Sequence, residues 1–224
     1  MKERGMIFNA EMVRALLDGR KTQTRRIIKD CTVGRDPISK FIKIGKKFIG
    51  CYPEDVPELI RECCPYGVPG DRIWVRETWA DAGASAPDLK LYRANYPEHV
   101  PSIYENVPPA KEIRWTPSIH MPRWASRILL EITDVRVERL NAISPEDAES
   151  EGLERTNFTG FGDEPGLPSY PEPDVYFDPL KKQWKEYPPE AFAGLWESIY
   201  GEGSWQANPW VWVIEFKRVE GGAA

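Results

Sequence analysis

Apolar positions change their period several times along the chain, and each change marks an element. Met6 to Phe8 form a short apolar run with the length of a strand. Asn9 then precedes Met12, Val13, Leu16 and Leu17, which share one helix face, and Gly19 stands just past the helix end. From Thr22 to Ile28 the pattern predicts a strand: Thr22, Thr24, Arg26 and Ile28 fall on one side, Gln23, Arg25 and Ile27 on the other. Both of its faces are polar, which is unusual for a strand that packs on a core. Residues 30–70 mix Lys, aliphatic residues and Pro, and close on the turn formers CPYGVPGD. An aromatic, buried strand is expected from Arg72 to Trp79.

Seven prolines between Ala80 and Pro122 exclude a continuous helix or a central strand, so this stretch reads as a long insertion. Ser126 to Glu138 returns to strand period, with Ile128, Leu130 and Ile132 on one face and Val135 and Val137 on the other. A bulge near Thr133 and Asp134 accounts for the switch. Ser144, Pro145 and Asp147 supply an N-cap, a first-turn proline and a capping-box acid for a short acidic helix that stops at Gly152. Residues 156–189 hold seven more prolines and read as a second loop-rich insertion. Phe192, Leu195, Trp196 and Ile199 then outline an amphipathic helix, and Trp210 to Val219 a strong strand. Strands and three short helices without regular β-α-β alternation predict an α+β fold on a small mixed or barrel-like sheet, decorated by Pro-rich insertions.

The 224 residues are 41% hydrophobic and 12% aromatic, with nine Trp, which is enough apolar material for a core. No apolar run reaches the roughly 20 residues a membrane-spanning helix needs, so neither secretion nor membrane insertion is expected. The four cysteines, Cys31, Cys51, Cys63 and Cys64, contain no C-x-x-C pair of the kind that builds zinc sites. They read as reduced thiols of a cytoplasmic protein, and no metal is expected.

The net charge of -5 hides an asymmetry. Residues 1–50 carry 13 Lys+Arg against 5 Asp+Glu, while the rest of the chain is strongly acidic. Because fields are screened within about 8 Å at physiological salt, an acidic protein with a basic first quarter can still accept an anion locally. The densest cluster is Arg20, Lys21, Thr22, Thr24, Arg25 and Arg26, directly after the first helix. Arg forks and hydroxyls suit phosphate or base recognition. The same residues also suit catalysis, with a lysine whose pKa is lowered by burial or neighbouring cations serving as a base and a threonine supplying a nucleophilic oxygen. Glu151 ends the acidic helix at the negative pole of its dipole, where a carboxyl is inclined to hold a proton. Of Trp74, Trp79, Trp205, Trp210 and Trp212, Trp205 lies in a Gly/Ser loop and is the candidate for stacking on a base, the others for the core.

Four segments in order, GRKTQTRR, PGDRIWVRETW, MPRWASRILLEITDVRVERLNAISPEDAESEGL and WVWVIEFKRV, resemble the ASCH-domain family, closest to enlarged members carried by phages and prophages. The resemblance implies a PUA-like fold: a small mixed β-barrel with flanking short helices, one domain over residues 1–219, insertions at about 80–122 and 156–189, and a disordered tail at 220–224. It implies a cleft for RNA or a nucleoside, in the cytoplasm of a bacterial or phage-infected host cell. One branch of the family hydrolyses N4-acetylcytidine with a Lys, a Thr and a Glu. Those roles fall here on Lys21, Thr24 and Glu151, with no metal or other cofactor, and Arg20, Arg25, Arg26 and Trp205 remain to hold the nucleoside or nucleic acid. Ribonuclease activity and non-catalytic reading of RNA or a modified base are the alternatives the family offers.

Overall fold

The computed structural model describes residues 1–29, 31–33, 40–44, 47–51, 64–84, 86–156 and 174–219. Its strands, in chain order, are β1 (Glu3–Ile7), β2 (Gln23–Ile27), β3 (Cys31–Val33), β4 (Lys40–Ile44), β5 (Lys47–Cys51), β6 (Arg72–Arg76) and β7 (Trp79–Asp81). These are followed by β8 (Lys90–Tyr92), β9 (Leu129–Arg139), β10 (Arg155–Thr156), β11 (Val175–Asp178), β12 (Gln183–Lys185) and β13 (Trp210–Arg218). The helices are α1 (Ala10–Leu17), α2 (Pro145–Ser150) and α3 (Pro188–Tyr200). The chain divides into two compact units. Unit one comprises Met1–Gly19, Cys64–Val135 and the stretch from Ile214; unit two comprises Arg20–Cys63 and Arg136–Val213.

In unit one, β1 runs parallel to β6, β6 antiparallel to β9, and β13 joins β9, with Val219 N donating to Leu129 O at 2.8 Å. Gly5 faces Trp74 in register, and a Cβ at Gly5 would stand 2.6 Å from the indole, so the ring occupies the space a side chain would need. Helix α1 begins as its sequence predicts, the Asn9 side chain accepting from Met12 N at 2.8 Å. It buries Val13 and Leu16, and the core continues through Phe8, Ile73, Leu130, Ile132 and Phe216. The aromatic strand predicted over Arg72 to Trp79 is interrupted. Glu77 is buried, its N–H meets Met121 Sδ at 3.2 Å, and Trp79 pairs instead with Tyr92 in the β7–β8 hairpin. The rest of 80–122, among the described residues, is loop and single 3-10 turns, as its prolines require.

In unit two, the end of β9 and the start of β13 adjoin β2, with Ile28 N donating to Trp210 O at 2.9 Å. β3–β4–β5 and β10–β11–β12 form two further antiparallel sheets. Leu140, Ala148, Tyr176, Phe192, Trp196, Val211 and Val213 make the core. Within the loop-rich stretch 156–189, β11 and β12 pair, with Phe177 and Trp184 directly opposite and their rings 5.3 Å apart. The amphipathic helix also starts earlier than its apolar pattern suggests, because Pro188 and Pro189 occupy its first positions, where a missing N–H costs nothing. Residues 157–173, and the tail 220–224, lie outside the described residues.

The architecture is α+β, and its sheets are open. The strand order is β1-β6-β9-β13 in unit one and β9-β13-β2 in unit two, and neither order returns to its first strand. The expected barrel is therefore corrected to open sheets, since closure requires the two edge strands to pair. Among the described residues no helix is long and apolar enough to cross a membrane.

Candidate active site

The polar strand β2 and the acidic helix α2 meet in unit two. Lys21 lies two residues before β2 and forms an isolated antiparallel bridge with Glu151, the residue that caps α2; Thr22 N adds a bond to Ser150 O at 2.9 Å. Backbone pairing thus sets the two segments side by side before any side chain acts. The Lys21 ammonium then donates to Glu151 O at 2.7 Å and to Glu151 Oε2 at 2.8 Å. Neither side chain has more than 2% of its surface exposed.

Strand alternation brings Gln23 and Arg25 to the same side as Lys21. Gln23 Nε2 donates to Asp147 O at 2.6 Å. The Arg25 guanidinium, fully buried, meets three carboxylates: Glu151 Oε1 at 3.1 Å, Asp147 Oδ2 at 2.7 Å and Glu138 Oε1 at 2.5 Å. Arg136, from β9, closes the cluster with Asp147 Oδ2 at 2.6 Å and Glu138 Oε2 at 3.5 Å. Three cations and three acids are linked, and one carboxylate, Glu151, is shared between Lys21 and Arg25. Charges removed from water in this way persist only when paired and hydrogen-bonded.

Burial holds the Lys21 ammonium below its ordinary value against the opposing pull of Glu151, and the positive charges of Arg26 and Arg25 add to the effect. For Arg25, burial also works against the charged form, yet Glu151 and Glu138 outweigh it and keep the guanidinium protonated. Burial of Asp147 would favour its acid form, but donors from Arg136 and Arg25 hold it below the usual carboxylate range. A buried lysine whose ammonium is weakened by burial, set against a fixed carboxylate, is the kind of pair that general acid–base chemistry uses.

Thr24 lies between Gln23 and Arg25, on the alternate side of the strand. It is outside the Lys21–Glu151 hydrogen-bond set, and its hydroxyl is buried with no hydrogen-bond partner. Buried hydroxyls nearly always find partners, so this one is an unspent donor. Arg20 Nη1 binds Gly152 O and Leu153 O at 2.9 and 3.0 Å. Arg26 is half-buried, one residue past Arg25 on the alternate face. Trp205 is half-buried and packs edge-on to Phe192, their centroids 6.1 Å apart. A cavity of about 380 Å³ opens beside the bridge, lined by Arg20, Thr22, Glu149, Ser150, Arg155 and Tyr176 among others. In it Tyr176 donates to Glu149 Oε1 at 2.5 Å, and burial with that bond pushes the phenol up to about 12.

The structure therefore joins two of the three residues proposed for chemistry, adds Arg25 to them, and keeps Thr24 adjacent in sequence but outside the network. Arg136 and Glu138 were not legible as site residues. Their only sequence signal is a pair of charges two apart on the half-polar end of a strand. Among the described residues no group of three or more His, Cys, Asp or Glu is arranged to hold a metal ion. No protein-family model, curated protein or solved structure matches the chain, so the reading of this site rests on its own geometry and on the residues that build it.

Proposed function

We propose that this chain is an ASCH-type, PUA-like protein that takes a pyrimidine nucleoside or RNA and hydrolyses the N4-acetyl amide of N4-acetylcytidine. The observation that carries the reading is the buried Lys21–Glu151 pair, with Nζ 2.8 Å from Oε2. On this reading the Thr24 hydroxyl, on the alternate side of the strand from Lys21, has to turn toward the lysine amine, to which it gives its proton as Oγ1 bonds to the acetyl carbon. That proton passes from Nζ to Glu151 Oε2, which hands it to N4 as the carbon–nitrogen bond breaks, releasing cytidine and leaving acetyl-Thr24. Water, deprotonated by the same pair, then frees acetate and restores the threonine. The unpartnered Thr24 hydroxyl supports this role, since no hydrogen bond must be broken before it attacks.

The test is incubation of the purified protein with N4-acetylcytidine, followed by chromatography of cytidine. Wild type is expected to release cytidine. Lys21→Ala, Glu151→Ala and Thr24→Ala are each expected to lose on the order of 10²–10⁴ in rate, and Thr24→Ser to retain part of it. Absence of release from folded wild type overturns the assignment. In that event, shortening of RNA by the protein indicates a nuclease, and retention of intact RNA a reader whose binding falls with salt.

A further inference from the structure

Glu151 presents two oxygens to two different cations, and the division is not arbitrary. Oε2 goes to Lys21 at 2.8 Å, and Oε1 goes to Arg25 Nη1 at 3.1 Å. Arg25 in turn is not free to move toward Glu151. Glu138 binds it through Nε at 3.2 Å and Nη2 at 2.5 Å, and Asp147 takes Nη2 at 2.7 Å. Phe192 lies beneath the guanidinium, its ring centroid 5.8 Å from Cζ. Behind these acids stands Arg136, bonded to Asp147 at 2.6 Å and to Gln23 Oε1 at 3.3 Å. The guanidinium has no exposed surface, so a phosphate or base could contact it only by displacing one of three carboxylates.

We propose that Arg25 is a positioning residue: clamped by Glu138 and Asp147, it holds Glu151 by Oε1 so that the carboxylate keeps a partner when Lys21 gives up its proton. The physical reason is the cost of a stranded charge. A buried carboxylate whose single cation becomes neutral loses its compensation, whereas one with a second, permanently charged partner does not. An Arg serves here and a second Lys would not, because guanidinium stays charged and its planar fork can meet several carboxylates at once. This inference rests on the proposal that Lys21 moves a proton, and it extends that proposal by assigning Arg25 to the proton's control and not to the ligand.

The groups that face Lys21 are Glu151 at the end of α2 and Arg25 and Arg26 from its own segment, with Asp147 of α2 and Glu138 and Arg136 of β9 behind Arg25. They give the two arms of the experiment opposite signs. Replacing Arg25 by Gln removes a like charge and frees Oε1, so Lys21 holds its proton more firmly. Replacing Asp147 by Asn leaves Arg25 in place with less compensation, so Lys21 releases its proton more readily.

The measurement is an NMR titration of the full chain labelled at lysine Cε and Nζ, with the Lys21 signal identified by its loss in Lys21→Arg and folding checked by thermal melting. Relative to wild type, Lys21 is expected to titrate at higher pH in Arg25→Gln and at lower pH in Asp147→Asn. Shifts of one sign in both variants, or no shift in either folded variant, overturn the proposal. If Arg25→Gln does not fold, Asp147→Asn decides alone, since Glu138 and Glu151 still hold Arg25, and an unchanged or raised Lys21 titration is then the overturning result. The titration needs no substrate. Failure of wild type to hydrolyse N4-acetylcytidine sinks the catalytic reading and leaves this result to be judged separately. Where hydrolysis occurs, the acid limb of kcat against pH moves with the Lys21 titration while KM stays, which a purely structural Arg25 would not produce.

Discussion

Each unit buries an acid against an arginine, but the two arrangements are built differently. In unit one, Arg127 grips Glu77 by Nε and Nη2, both at 2.9 Å; Nη2 also reaches Asn95 Oδ1 at 2.9 Å, and the guanidinium lies 4.0 Å over the ring of Tyr92. The acid faces one permanent cation in a two-point fork. It fastens strand-end residues to the segment that carries Tyr92 and Asn95. In unit two, Glu151 is divided between Arg25 and a lysine whose ammonium is weakened by burial. On the proposed function, the difference separates a clamp from a proton-handling site by geometry. A bidentate pair with a permanent charge holds structure, while a shared carboxylate next to a weakened base leaves a proton free to move.

The largest expected effect breaks this comparison on stability. Glu77→Ala leaves Arg127 without a carboxylate among the described residues, and roughly 3–5 kcal/mol of unfolding free energy should be lost in denaturant melts. Glu151→Ala should cost distinctly less, because Lys21 can shed its proton and Arg25 keeps Glu138 and Asp147. Equal losses would show that the shared carboxylate is a clamp as well. Activity should divide the other way, with Glu77→Ala retaining full turnover in whatever fraction remains folded.

Next comes a packing control within unit two. A Cβ at Gly194 of α3 would stand 1.9 Å from Asp178 Oδ1, which already accepts from Leu180 N and Lys181 N. Gly194→Ala is expected to cost about 1–3 kcal/mol of stability by overpacking, measured by the same melts, without altering the Lys21 titration.

Asp147 sharpens the comparison through pH. Its folded-state acidity lies below the unfolded value, so it contributes stability above the ordinary carboxylate range and loses it as pH falls through the folded value. The stability gap between wild type and Asp147→Asn should therefore be full at pH 7 and close progressively below about pH 4. A gap that persists at low pH would mean that the ion pairs to Arg25 and Arg136 are not its source.

The smallest effect is at Tyr176, whose phenol should titrate near 12 in absorbance measurements and whose replacement by Phe should cost about 1 kcal/mol, one hydrogen bond to Glu149.

Local chemistry was legible where the residues answer to their immediate neighbours. The Asn9 cap of α1 and the Ser144 cap of α2, which accepts from Asp147 N at 3.1 Å, follow from side chains that bond the backbone three residues on. The switch of face along Ser126 to Glu138 is present as well: β9 buries Leu130 and Ile132 and then Val135. The two-sided polarity of Thr22 to Ile28, unexplained by sequence alone, is the imprint of the cluster, since Gln23 and Arg25 turn toward α2. Pairing over long range was not legible. The strands within 156–189 depend on Phe177 meeting Trp184 across a turn, and the break at Glu77 on an Arg fifty residues later.

The sequence by itself determined the α+β character, the helix caps and the loops that proline enforces, and it singled out Lys21, Thr24 and Glu151 as candidates. Only the tertiary structure decided that the sheets stay open, that Lys21 and Glu151 touch, and that Arg25 belongs to the same carboxylate. The physical reason is range. Caps and periodicity act within one turn or one strand and leave their mark in neighbouring letters. A buried ion pair between residues 130 positions apart exists only because backbone pairing brings them together and excludes water from both.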